Sequence, residues 1–314
     1  MKESFSTRHI QLLATLGLAF IIHPSSGAAP RCPGNTVSVT PRFVQHALIV
    51  IPVKINHAGP FDFMVDTGSQ LTVVDPSLSS ELNLNSQGRV GIISIAGYAQ
   101  TSATLLDSLE VDSNVVEKSP AMVQDLRQIQ AADRRIRGVL GESFLSHFDL
   151  LIDYEHKTLC LDQTSAMRNS VRGERISFVP PQHPDDELPF MQRMVVSVHL
   201  SGAGTKPILL LLDSGCDDPI LLPGSERAEI QTLIHEATLQ GNATVAQRAF
   251  AVVPPVNMQI GKRILARVTF VTPVRVAKNL PRQHADGLLP TVLFQRVFIS
   301  NGDHYVVFDP KWGG

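Results

Sequence analysis

The feature that most constrains this chain is a short acidic turn that occurs twice, 147 residues apart. Asp66-Thr67-Gly68 lies in PFDFMVDTGSQLTVVDP, and Asp213-Ser214-Gly215 lies in PILLLLDSGCDDPILLP. The match extends beyond the triplets: Pro60 aligns with Pro207, Gly68 with Gly215, and Pro76 with Pro223. In both copies an apolar run leads into the aspartate and another follows the glycine. Stacked repeat arrays have periods of roughly 20–50 residues, so an offset this long marks a duplicated domain.

The chain has 314 residues, enough for two domains of ordinary size. In the first half HALIVIPVKI, FDFMV and LTVV read as strands, with a turn at His57-Ala58-Gly59-Pro60. PSLSSEL reads as a short helix with Pro76 in its first turn. RVGIISIAG and TSATLLDSLEV read as hairpins, and MVQDLRQIQ as a short helix. GVLGESFLSHFDLLIDYEHKTLCL then reads as a glycine-flanked apolar turn, a helix and a strand hairpin. The second half repeats this order, ending in DGLLPTVLFQRVFISNGDHYVVFDP. With 21 glycines, 21 prolines and many short strands, the expected class is all-β, built from closed lobes rather than a parallel α/β sheet.

The expected divisions are a signal segment at 1–28, an N-terminal arm at 29–42, a first lobe at 43–161, a linker at 162–188 and a second lobe at 189–314. Lys2, Arg8 and His9 precede the apolar run at 10–22, and small residues follow, with Ser26 and Ala28 placed for cleavage after Ala28. That run is shorter than the roughly 20 residues of a spanning helix, so no stable membrane span is expected once the signal is removed. Export to the periplasm or beyond the cell follows as an expectation. An exported chain permits disulfides, so Cys32 and Cys160 can pair and leave Cys216 single; three isolated thiols fit the sequence equally.

The net charge of −2 points to no nucleic-acid surface. No metal site or cofactor is expected, because His235-Glu236 lacks the second histidine of a zincin helix and no CxxC is present. A serine hydrolase using Ser69 or Ser214 has no GxSxG motif behind it.

A lone Asp-Thr-Gly is weak evidence, since all three residues form turns. The flanks add to it, because each aspartate ends an apolar strand and is aimed at the interior. A buried carboxylate is costly unless paired, hydrogen-bonded or protonated. Two such costs in equivalent places imply one shared site, where two carboxylates hold and activate one water. That is the chemistry of a hydrolase.

VDTGS at 65–69, GVLGESFL at 138–145, LDSGC at 212–216 and GLLPTVLF at 287–294 resemble the pepsin/retropepsin class of aspartic peptidases. The nearest look is to bacterial exported proteins with two retropepsin-like halves in one chain. The resemblance implies a bilobal acid-protease fold, two related closed β-barrel-like lobes with short helices and a cleft between them. It implies that Asp66 and Asp213 are the catalytic pair, sharing a proton. Thr67 and Ser214 would brace the two loops, Gly68 and Gly215 would admit backbone amides, and Ser69 would donate to the outer oxygen of Asp66. A flap is expected in GIISIAGYAQTSAT, with Gly97 and Tyr98 near its tip. The implied activity is that of a monomeric endopeptidase acting on an extended polypeptide. The alternative is a weak or inactive peptide-binding scaffold that keeps the fold. Two departures motivate that alternative, Cys216 in the place of Ser69 and Pro290 in that of the second glycine of GVLG; a third, Asp217-Asp218 after the second triplet, adds negative charge expected to raise the pair's proton affinity.

Overall fold

The computed structural model describes residues 32–36, 38–94, 97–180, 194–223, 228–235, 237, 244–245, 248–274 and 285–312. The expected signal segment 1–28, the start of the arm and the end of the linker lie outside the described residues. Among those described, no helix is long and apolar enough to cross a membrane.

The first part of the chain forms β1 (Ser38–Val39), β2 (Arg42–Val44), β3 (Leu48–Ile55), β4 (Ala58–Val65), β5 (Thr72–Val74) and α1 (Pro76–Glu81). Next come β6 (Ser86–Ser94), β7 (Gly97–Val111), β8 (Asn114–Val123), α2 (Arg127–Gln130), β9 (Ile136–Leu140) and α3 (Glu142–Leu145). β10 (Asp149–Asp153), β11 (Thr158–Asp162), α4 (Ala166–Ser170) and β12 (Ile176–Ser177) lead into the second part. That part holds β13 (Val195–Leu200), β14 (Ile208–Asp213), β15 (Ile220–Leu221), α5 (Ala228–His235), β16 (Thr244–Val245) and β17 (Arg248–Val252). It closes with β18 (Val256–Ile260), β19 (Arg263–Val268), β20 (Val271–Pro273), β21 (Gly287–Pro290), β22 (Arg296–Ser300) and β23 (Tyr305–Phe308).

The architecture is all-β with short helices, arranged in three sheets. An eight-stranded sheet from the first half runs β2-β3-β4-β9-β5-β8-β7-β6, and a β3–β7 pairing curls it toward closure. A nine-stranded sheet from the second half runs β16-β17-β20-β15-β21-β14-β13-β18-β19. Both share one internal plan. β4 runs parallel to β9, β9 antiparallel to β5, and β5 parallel to β8. In the second sheet β14 runs parallel to β21, β21 antiparallel to β15, and β15 parallel to β20. The duplication read from the triplets is thus a duplication of strand pairing.

Local chemistry explains several boundaries. Asn56 and His57 both take positive φ, the geometry of a tight two-residue hairpin turn, so the turn precedes Ala58-Gly59-Pro60, which belong to β4. Asp75 caps α1 by accepting from the Ser77 N–H at 2.9 Å, with Pro76 in the first turn. β18 alternates buried and exposed side chains, as a strand covered on one face does. β10, in the interior of its sheet, is buried throughout.

That third sheet corrects the expected division of the chain. Its order is β1-β11-β10-β22-β23-β12, so it draws strands from both halves. β10 pairs with β22 through Leu150↔Ile299 and Ile152↔Val297. The arm at 29–42 is not loose where described: β1 pairs with β11, and Cys32 is disulfide-bonded to Cys160. The expected linker at 162–188 contains α4, and β12 pairs with β23. The boundary at 161 cuts β11. At β1 and β12 backbone pairing with a distant strand orders a segment whose composition read as coil. MVQDLRQIQ is split as well, with Met122 and Val123 in β8 and helix only at Arg127–Gln130.

Candidate active site

Asp66 follows β4 directly, and its N–H donates to Leu140 O of β9 at 3.0 Å. Asp213 ends β14, paired in register with Pro290 of β21. Residues 138–140 of GVLG and all of GLLP, expected as apolar turns, are therefore strands running alongside the two aspartate-bearing strands, and Gly141 caps α3.

The two triplets meet across a local pseudo-twofold. Thr67 N–H donates to Ser214 Oγ at 3.1 Å, and Ser214 N–H donates to Thr67 Oγ1 at 3.0 Å. Each hydroxyl then donates to the backbone at the end of the opposite strand: Thr67 Oγ1 to Leu212 O at 3.0 Å, and Ser214 Oγ to Val65 O at 3.0 Å. Within each loop the glycine N–H holds its own aspartate. Gly68 N–H donates to Asp66 Oδ1 at 2.8 Å, and Gly215 N–H to Asp213 Oδ1 at 2.7 Å.

The loops cross closely enough that a side chain has no room at either glycine. A Cβ on Gly68 would stand 2.7 Å from the Asp213 carboxyl carbon, and one on Gly215 would stand 2.6 Å from that of Asp66. The two carboxyls hydrogen-bond to one another. Burial is the largest influence raising both above the ordinary carboxylate range. The charge of Asp213 pushes Asp66 up further, whereas the Gly215 N–H and the bond from Asp66 hold Asp213 back. The pair accordingly holds one proton between its two carboxyls where isolated carboxylates would already have lost theirs.

The sequence model of the aspartyl protease family matches residues 51–144. That stretch runs from β3 into α3, includes Asp66, and is less than half of the chain. No curated protein matches the chain. Among solved structures, a retropepsin-like aspartic protease from Rickettsia conorii is similar at 19% identity, over 40% of this chain and 87% of that one, with a TM-score of 0.29.

Other expected site residues fall as follows. The Ser69 hydroxyl donates to Leu71 O at 2.9 Å rather than to Asp66, while the Ser69 backbone N–H donates to Asp66 O at 3.3 Å and helps hold the Asp66 carboxyl down. Cys216, in the place of that serine, bonds Asp213 through its thiol and its backbone N–H, and both hold the Asp213 carboxyl back. The Cys216 Sγ lies 3.8 Å from Asp213 O, and burial followed by the Asp213 charge pushes the thiol well up. Gly97 and Tyr98 pair with Ser94 and Ile93 beside the tip of the β6–β7 hairpin; the tip at 95–96 and the Tyr98 side chain lie outside the described residues. Asp217 and Asp218 are exposed, and Asp217 acts on Cys216 and Asp218.

Pro290 has a counterpart that the sequence did not reveal. In the first half Gly141 N–H donates to Thr72 Oγ1 at 3.3 Å, and Thr72 N–H to Ser143 Oγ at 2.9 Å. The registers Val73↔Val139 and Ile220↔Leu288 put Pro219 where Thr72 stands and Pro290 where Gly141 stands. Donor and acceptor are lost together in the second half, so the exchange leaves neither stranded.

Two further groups were missed. Glu142 is buried at the start of α3, and Tyr154 OH bonds Thr291 Oγ1 at 2.6 Å close to Asp213 and Cys216. Among the described residues, Asp153, Glu155 and His156 place ligand atoms within 4.8 Å of one another. Their geometry is accounted for by the β10–β11 turn, where Asp153 accepts from the His156 N–H at 2.8 Å and pairs with its ring at 2.9 Å.

Proposed function

We propose that this chain is an aspartic endopeptidase in which Asp66 and Asp213 activate one water against a peptide carbonyl. The ionised member of the pair takes the proton of the water as it attacks. The protonated member donates its proton to the carbonyl oxygen as the tetrahedral carbon forms. Two acids forced together share one proton, a pattern for which aspartic proteases are themselves the reference example. Their titrations belong to the pair rather than to either residue. The observation that carries this reading is the crossed pair of loops, each aspartate lying against the opposite glycine.

The substrate is an extended polypeptide lying between the two halves beneath the β6–β7 hairpin, and the chain acts as a monomer, since both aspartates come from one polypeptide. Export fits the Cys32–Cys160 disulfide, which forms and persists in oxidising compartments. The test is cleavage of a diverse peptide mixture from acidic to neutral pH, with Asp66→Asn and Asp213→Asn as controls. Each substitution removes one acid–base partner and should lower kcat/KM by about 10²–10⁴-fold. Undiminished cleavage in both variants removes the reading.

A further inference from the structure

We propose that Glu142 is a third acid of the site, a positioning residue behind Asp66 that keeps the shared proton on the aspartate pair as pH rises. Glu142 is 4% exposed, and both of its carboxyl oxygens are enclosed without a hydrogen-bond partner among the described residues. Buried polar atoms nearly always have partners, so a fully unpaired carboxyl calls for an explanation. Its backbone is stitched to the loop that carries Asp66: Glu142 N–H donates to Ser69 O at 2.8 Å, and Ser143 N–H to Gln70 O at 3.0 Å.

The charges around it are few. Asp66 is the titratable group acting on Glu142, and Asp213, Cys216 and Tyr154 gather on the far side of the axis. Of the elements packed on α3, β5 has no charged residue. β8 has Glu117 and Lys118, both exposed, and β9 has Arg137, which pairs with Glu81. No described cation neutralises the Glu142 carboxyl. Burial, and then Asp66, push it well above the usual carboxylate range. The second half differs: Thr291 takes this place, and Tyr154 occupies its hydroxyl. Each aspartate thus has a different group behind it.

The consequence is electrostatic. While Glu142 is neutral, the pair carries a single negative charge. Once Glu142 ionises, its charge raises the proton affinity of Asp66, so the pair gives up its last proton at higher pH than two acids alone would.

This inference rests on the catalytic reading, and the experiment separates the two. Peptide cleavage is followed against pH for the parent chain, Glu142→Gln and Glu142→Asp. Glu142→Gln should have the alkaline limb of its cleavage profile moved down by about one pH unit relative to the parent. Glu142→Asp, which keeps the acid, should move it less. Melting temperature against pH gives a readout independent of cleavage. An acid with raised proton affinity in the folded state contributes stability that is full below the ordinary carboxyl range and is lost as pH rises through its raised value. Glu142→Gln lacks that loss, so its melting temperature should gain on the parent from acidic to neutral pH. Superimposable alkaline limbs in proteins that all cleave, or melting curves that stay parallel with pH, overturn this inference alone. A parent chain that cleaves nothing overturns both readings.

Discussion

Replacing Thr67 by valine keeps the shape of the side chain and deletes one hydroxyl from the cross-brace. Thr67 and Ser214 are 2% and 1% exposed, so water does not reach the groups left behind. The Ser214 N–H loses its acceptor, and Leu212 O loses a donor. A stranded buried N–H costs about 1–3 kcal/mol and the second lost bond about 1 kcal/mol, or about 2–4 kcal/mol together. Ser214→Ala removes the mirror-image bonds, to Thr67 N–H and Val65 O, and should cost the same within about 1 kcal/mol. Thr67→Ser keeps the hydroxyl and should stay within about 1 kcal/mol of the parent. Urea unfolding followed by circular dichroism measures these losses as a lower midpoint at unchanged slope. The equality is the sharp part, because it follows from the symmetry of the brace rather than from either residue. A loss below about 0.5 kcal/mol in either variant, or a large loss in only one, refutes the reasoning.

Two further predictions concern the same frame. Gly68→Ala puts a methyl group 2.7–3.0 Å from the Asp213 carboxyl atoms, and Gly215→Ala puts one 2.6–2.8 Å from those of Asp66. Each should lower kcat/KM by at least about 100-fold by displacing the opposite aspartate, and near-parental cleavage would contradict the crossed-loop geometry. The Cys32–Cys160 bond closes a loop of 128 residues, so Cys32→Ser with Cys160→Ser should cost about 2–5 kcal/mol. An unchanged urea midpoint in that double variant counts against a disulfide that restrains the arm.

What was legible in the chain was whatever a local pattern reports. Strand, turn and glycine repeat around Asp66 and Asp213 because each half needs the same short apolar strands to carry its aspartate. That repetition exposed the all-β class and the equivalence of the two turns. Long-range pairing leaves no comparable trace. DLLID of β10 is buried on both faces and shows no alternation that would point to its partner in β22. Ser38 and Val39 look like coil until β11 supplies their hydrogen bonds. The direction of the Ser69 hydroxyl depends on where Leu71 O falls, a matter of tertiary geometry. Glu142 sat in plain view inside GVLGESFL, but a glutamate beginning a helix is ordinarily a surface residue. Only its enclosure in the folded chain marks it out.

The six-stranded sheet has a mechanical implication. The halves are joined by a ladder running straight through both of them, so they are not two bodies swinging on a string. Any movement of one half against the other must bend that ladder, which resists through many small hydrogen bonds at once. Substitutions that loosen β10 against β22 would therefore loosen the tie between the two halves without touching either acid.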